Sequence, residues 1–72
     1  MILVKKGKKY KVIGMNCGHS ARFRLNSMNI REDSEIEILA IQPIGPITIN
    51  VNKSEYTLGR GLFNKLILEE IK

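Results

Sequence analysis

Apolar and polar residues alternate over several short stretches of this chain, each the length of a strand. In the segment 10–15, Tyr10 and Val12 fall on one side while Lys9 and Lys11 fall on the other, which predicts a half-buried strand. Asn16-Cys17-Gly18 supplies turn residues. Ser20 is then placed to cap a helix, because a serine hydroxyl accepts a free backbone N–H of the first turn. Ala21, Leu25 and Met28 recur at helical spacing, so residues 20–28 are read as one short helix with a single apolar stripe. Asn29 is suited to end it, since asparagine tolerates the left-handed conformation found just past a helix.

A polar turn, Arg31-Glu32-Asp33-Ser34, leads into a second strand over Glu35 to Ile41. Ile36 and Ile38 face one way and Glu35 and Glu37 the other, but Leu39, Ala40 and Ile41 break the alternation. A bulge, or a strand bending from one face to another, accounts for such a phase change. Pro43-Ile44-Gly45-Pro46 reads as a loop. Ile47, Ile49 and Val51 alternate cleanly with Thr48, Asn50 and Asn52 as a third strand. A tight turn at Asn52-Lys53-Ser54, with positive φ at the asparagine, starts a fourth strand that turns Tyr56 and Leu58 inward. Gly59 to Lys65 holds one helical turn at most, and Leu66 to Glu70 forms a closing strand. Five short strands in so small a chain favour a closed barrel, because closure removes exposed edges.

The length of 72 residues allows a single domain spanning 1–72, with residues 1–8 expected to be loosely tethered. A chain of this size buries only about 60% of its unfolded surface, which leaves little room for a catalytic cleft, so no enzyme is expected. The apolar runs are far short of the ~20 residues of a membrane helix. Lysines follow Met1-Ile2-Leu3-Val4 instead of preceding it, the wrong order for a signal peptide, so a cytoplasmic protein is expected. One cysteine, Cys17, excludes an internal disulfide.

Charge sharpens the picture. The net charge of +5 is unevenly spread: residues 1–24 hold Lys5, Lys6, Lys8, Lys9, Lys11, Arg22 and Arg24 with no acid, whereas residues 25–72 hold five bases and seven acids. Such a surface suits an acidic protein, nucleic acid or an anionic membrane face, or is simply a solvated strand edge that resists pairing. A nucleic-acid-binding barrel, SH3-like or OB-like, is the alternative function. Against it, Phe23 and Phe63 look like core residues, and only Tyr10 interleaves with the cations. Arg24, next to Leu25, is read as pinning the helix to a neighbouring carbonyl while Arg22 points elsewhere.

Cys17 and His19 are metal-ligand types two residues apart, but a tetrahedral site needs three or four ligands. The chain has no second cysteine or histidine, so the pair is read as a small buried thiol and a surface imidazole, with no metal site. None of the seven acids pairs with another as acid and base. Gly59-Arg60-Gly61 lacks the spacing of a phosphate loop and is read as backbone relief at a tight corner. No cofactor is expected.

Arg24-Leu25-Asn26-Ser27-Met28-Asn29-Ile30-Arg31, followed by the alternation Glu35-Ile36-Glu37-Ile38, resembles the FeoA family of ferrous iron transport proteins. Pro43-Ile44-Gly45-Pro46 with the strand 47–51 is similar to that family's loop and next strand. Tyr56-Thr57-Leu58-Gly59-Arg60 and Leu66-Ile67-Leu68 look like its last two segments. The likeness covers residues 8–71. Three family glycines are replaced, by Asn29, Asp33 and Asn52, the residue types most tolerant of positive φ. Gly59 also separates the family's leucine-arginine pair.

The resemblance implies a mainly β, SH3-like five-stranded barrel with one short helix after the first strand and a helical turn before the last. It implies a cytosolic accessory of an FeoB-like membrane ferrous iron transporter, docking on its cytosolic part and aiding assembly or GTP-linked gating. Contact with the membrane would come only through that partner, no nucleic acid is expected, and there is room for a homo-oligomer. The resemblance implies neither a dedicated iron site nor catalysis. Lys8, Lys9, Lys11, Arg22 and Arg24 are the residues expected to meet an acidic partner and to steer the encounter.

Overall fold

The computed structural model describes residues 4–71. Its elements are β1 (Lys9–Met15), α1 (His19–Ser27), β2 (Glu35–Ile41), β3 (Ile47–Val51), β4 (Ser54–Leu58), α2 (Arg60–Phe63) and β5 (Leu66–Glu70). The mainly β class and the order of elements match the sequence pattern. The strands form one antiparallel sheet in the order β4-β3-β2-β1-β5. Closure of the hydrogen-bonded ladder is the point that differs. β4 and β5 are the two edges of the sheet, and among the described residues they do not pair.

The sheet nevertheless rolls. Its extents, 29 × 27 × 24 Å, are nearly equal, which a flat sheet cannot give. Leu58 of β4 and Leu66 and Leu68 of β5 enter the same core as Ile36, Ile38 and Ile49 of the central strands. Rolling lets both edges reach one interior. Two irregularities in the ladder make it feasible. β2 shifts register against β3 between Ile38 and Ala40, where the alternation predicts a break. β1 shifts against β5 between Val12 and Gly14, which lets Val12 and Met15 both point inward across an odd spacing.

α1 starts one residue earlier than its pattern suggests. Gly18 is its N-cap and no side chain caps it, so Ser20 does not play that part. The other end is firmly built. The Asn29 N–H donates to the Asn26 carbonyl at 2.9 Å and the Ile30 N–H to the Leu25 carbonyl at 3.0 Å, with Asn29 at φ 62°. This is the Schellman arrangement, and its usual apolar contact is present, because Leu25 and Ile30 are both fully buried. Asp33, at φ 73°, sits inside the turn that Ser34 closes by donating its N–H to the Arg31 carbonyl at 3.0 Å. Asn52 (φ 50°) and Lys53 (φ 68°) form the two-residue β3–β4 hairpin, both left-handed as a type I′ turn requires. All three residues standing where the family has glycine therefore hold a glycine-like backbone.

Residues 4–8 make defined contacts with the sheet and the core. The Gly7 N–H donates to the Ile38 carbonyl at 2.7 Å and the Ile38 N–H to the Lys8 carbonyl at 3.0 Å. The Lys5 N–H donates to the Tyr10 hydroxyl at 2.9 Å, and Val4 packs on the core. The rest of the segment expected to be loosely tethered, residues 1–3, lies outside the described residues.

Arg60 does what the sequence assigns to Arg24. From the start of α2 its guanidinium donates to the carbonyls of Gln42 and Pro43, fastening the β2–β3 loop. Arg24 is exposed, and among the described residues its side chain makes no hydrogen bond. The two glycines beside Arg60 relieve no crowding, since a Cβ on Gly59 or Gly61 would meet nothing within 4 Å.

Two variants test these placements. Asn29→Val, forced into a left-handed backbone, is expected to destabilise the chain by about 1–2 kcal/mol, while Asn29→Gly melts within a degree or two of the parent. Equal melting of the valine variant would dismiss the capping role. Arg60→Ala is expected to cost about 1 kcal/mol in denaturant unfolding. It should also lower the backbone order parameters of Ile44 and Gly45.

Candidate functional site

The sheet's outer face sorts the basic residues into two groups. Lys9 lies across the ladder from Glu37, and Lys11 from Glu35 on one side and Glu69 on the other. Glu37 in turn faces Asn50, which faces Glu55. Lysines and glutamates thus interleave in two dimensions, and cross-strand opposite charges are mildly stabilising. Lys11 also lies 3.6 Å from Asp33, a solvent-exposed pair worth little by itself. Lys9 and Lys11 therefore belong to a compensated face. A shallow depression of about 220 Å³ on that face is lined by Lys9, Glu35, Ile36, Glu37, Asn50 and Asn52.

The remaining cations are elsewhere. Lys8 is exposed just before β1, and Arg22 and Arg24 lie on α1, the first half-buried and the second exposed. Lys8 precedes β1 and the two arginines follow it, so the strand separates them along the chain.

Between the two arginines stands Phe23. It is 76% exposed, so its assignment to the core is wrong. The reason is angular: Leu25 takes the inward position, and a residue two places earlier on a helix lies about 160° away from it. Phe63 is buried as expected, Tyr10 is buried, and Tyr56 is half-buried against the core. Phe23 is thus the exposed aromatic among the described residues, and a row of stacking rings for single-stranded nucleic acid is not formed. Sequence periodicity contains the signal for Phe23, since it lies off the Ala21-Leu25-Met28 stripe. Aromatic character alone suggests burial.

Cys17 is half-buried and packs on the core, while His19 is exposed at the start of α1. Among the described residues no group of three or more histidines, cysteines or acids converges as metal ligands. Every buried side-chain polar atom described has a partner, so none points to an absent ligand. Among the described residues no helix is long and apolar enough to cross a membrane. What the surface offers is an exposed aromatic ring, preceded and followed in sequence by arginines, on a short helix that is locked at its C-terminal end.

Comparison with known proteins agrees with this geometry. The FeoA domain family matches residues 3–70. "Putative Fe(2+) transport protein A" of Methanocaldococcus jannaschii is 31% identical over 70 residues, covering 97% of this chain and 84% of that one. A crystal structure described as an iron uptake regulatory protein (FeoA) superposes with a TM-score of 0.90 at 31% identity, covering 94% of this chain and 91% of that one. A manganese-dependent transcriptional repressor shares the fold at 17% identity and a TM-score of 0.86, but this chain covers only 34% of it. Matched by the family domain over residues 3–70, this chain belongs to the FeoA family.

Proposed function

We propose that this chain is a non-catalytic accessory of ferrous iron uptake that docks through α1 on the cytosolic part of an FeoB-like membrane transporter. There it would aid assembly or GTP-linked gating. Family membership supports the setting, and the exposed Phe23 between Arg22 and Arg24 is the observation that carries the docking claim. A solvent-facing aromatic ring is an unfavourable surface in isolation and becomes an anchor when a partner covers it. Aromatic residues and arginine are the types most enriched at the energetic centre of interfaces.

The cations divide their roles. Arg22 and Arg24 adjoin the anchor, so they favour an acidic rim around an apolar pocket on the partner. Lys8, exposed and outside the lysine–glutamate lattice, adds long-range attraction. Lys9 and Lys11 face glutamates and contribute less to the field at a distance.

Binding of a purified FeoB-like cytosolic fragment from the same organism tests this reading. Phe23→Ala is expected to weaken binding by about 2 kcal/mol, roughly thirtyfold, with the melting temperature unchanged. Reversing Arg22 and Arg24 to Glu should slow association most at low salt, whereas reversing Lys9 and Lys11 should change it little. A folded Phe23→Ala variant that binds like the parent would remove α1 from the interface.

A further inference from the structure

Besides Phe23 on α1 and the strand residues Ile13 and Ile67, the β2–β3 loop carries an exposed apolar group of its own. Ile44, at its tip, is 98% exposed. The loop lies in the middle of a stretch, Ile38 to Asn52, without a single charged residue in a chain that is 26% charged. It is also fixed in advance. Pro43 and Pro46 bracket the tip, and Arg60 holds the carbonyls of Gln42 and Pro43. The Gln42 side chain packs over Gly45, where a Cβ would come within 2.7 Å of its amide oxygen. A group displayed on a loop already ordered loses little further freedom on binding.

Cations border the same end of the sheet. Gly7 and Lys8 lie antiparallel to β2, both bonded to Ile38, and residues 5–8 then form a turn. The start of β1 and the end of β2 therefore share one end of the sheet, and the turn 5–8 stands beside Ile38 there. Ile41 is three residues beyond Ile38, about 10 Å along a strand. The turn closed from the Lys8 N–H to the Lys5 carbonyl, and the Lys5 N–H bond to the Tyr10 hydroxyl, keep Lys5, Lys6 and Lys8 at this end. All three are exposed.

We propose that this end of the protein rests on an anionic lipid surface. Ile44 enters the boundary between headgroups and acyl chains, and Lys5, Lys6 and Lys8 meet lipid phosphates. Apolar burial by the aliphatic tip and attraction of the lysines to anionic headgroups are the two contributions on which interfacial membrane binding rests. A protein socket would favour an aromatic or arginine anchor, and here the guanidinium of Arg60 is already engaged with the loop's own carbonyls. One side chain and three lysines give a weak, reversible contact, enough to hold the chain near a membrane and not to anchor it. This contact is direct, in contrast to membrane contact through a protein partner alone, and it does not depend on α1.

The chain contains no tryptophan, so Ile44→Trp provides a single fluorescent reporter. Its emission should shift to the blue on adding vesicles of mixed phosphatidylglycerol and phosphatidylcholine. Asn26→Trp, on exposed α1 beyond the far end of β1, should not shift. In co-sedimentation of the otherwise unaltered chain, Ile44→Ser should lower partitioning roughly tenfold. Reversing Lys5, Lys6 and Lys8 to Glu should abolish the preference for anionic over pure phosphatidylcholine vesicles, and so should high salt. The proposal fails if the emission of the Ile44→Trp variant does not move, if that of the Asn26→Trp variant moves equally, or if vesicle binding ignores Ile44→Ser. It fails equally if the reporter in the loop responds to the transporter's cytosolic fragment and not to vesicles.

Discussion

Everything in this fold depends on bringing the inner faces of five short strands to one interior. A chain of 72 residues has no second core to fall back on, so each strand must give its apolar face to the same space. The two shifts in register are the means. Without the break after Ile38, β2 could not bend to follow the curve. Without the one after Val12, Met15 would point outward and the ladder with β5 would lose its inward residue. The sheet rolls until its edge strands share the core, even though no hydrogen bonds join them.

A similar constraint governs charge. Half-buried strands leave their outer faces to solvent, and here those faces carry lysine and glutamate in alternation across β1, β2 and β5. The basic excess that is so visible along the first third of the chain is thereby neutralised locally at Lys9 and Lys11. What remains for recognition lies on parts that are not strands: the segment before β1, and the helix. Surface function has been displaced from the sheet to its connections, where backbone hydrogen bonds do not dictate which residues can stand.

Much of this is legible in the sequence because period-two alternation and left-handed turn residues are local signals. Ile47, Ile49 and Val51 declare their strand without help, and the Asn29, Asp33 and Asn52 substitutions preserve positive φ by their own chemistry. The misreadings share a cause: each involves a choice among equivalent local options that only tertiary contact decides. Aromatic character points Phe23 to the core, but Leu25 already fills the inward slot. Arg24 and Arg60 are equally able to seek a carbonyl, and it is α2 that stands beside the Gln42 and Pro43 carbonyls. Ser20 has the chemistry to cap α1, yet the chain enters the helix at Gly18. Ladder closure follows from the cost of edges, a global argument that the rolled but unjoined sheet satisfies in part.

The two ends of α1 differ in a way that matters for how the helix moves. Its last turn is locked into the core by Leu25 and Ile30 and by the bonds around Asn29, whereas its first turn has no side chain to hold the free amides. Fraying therefore proceeds from Gly18 inward and stops before Leu25. Phe23 sits at the limit of that loosening. The ring is free to reorient as it meets another surface, while the inward side of the same helix keeps its place on the sheet.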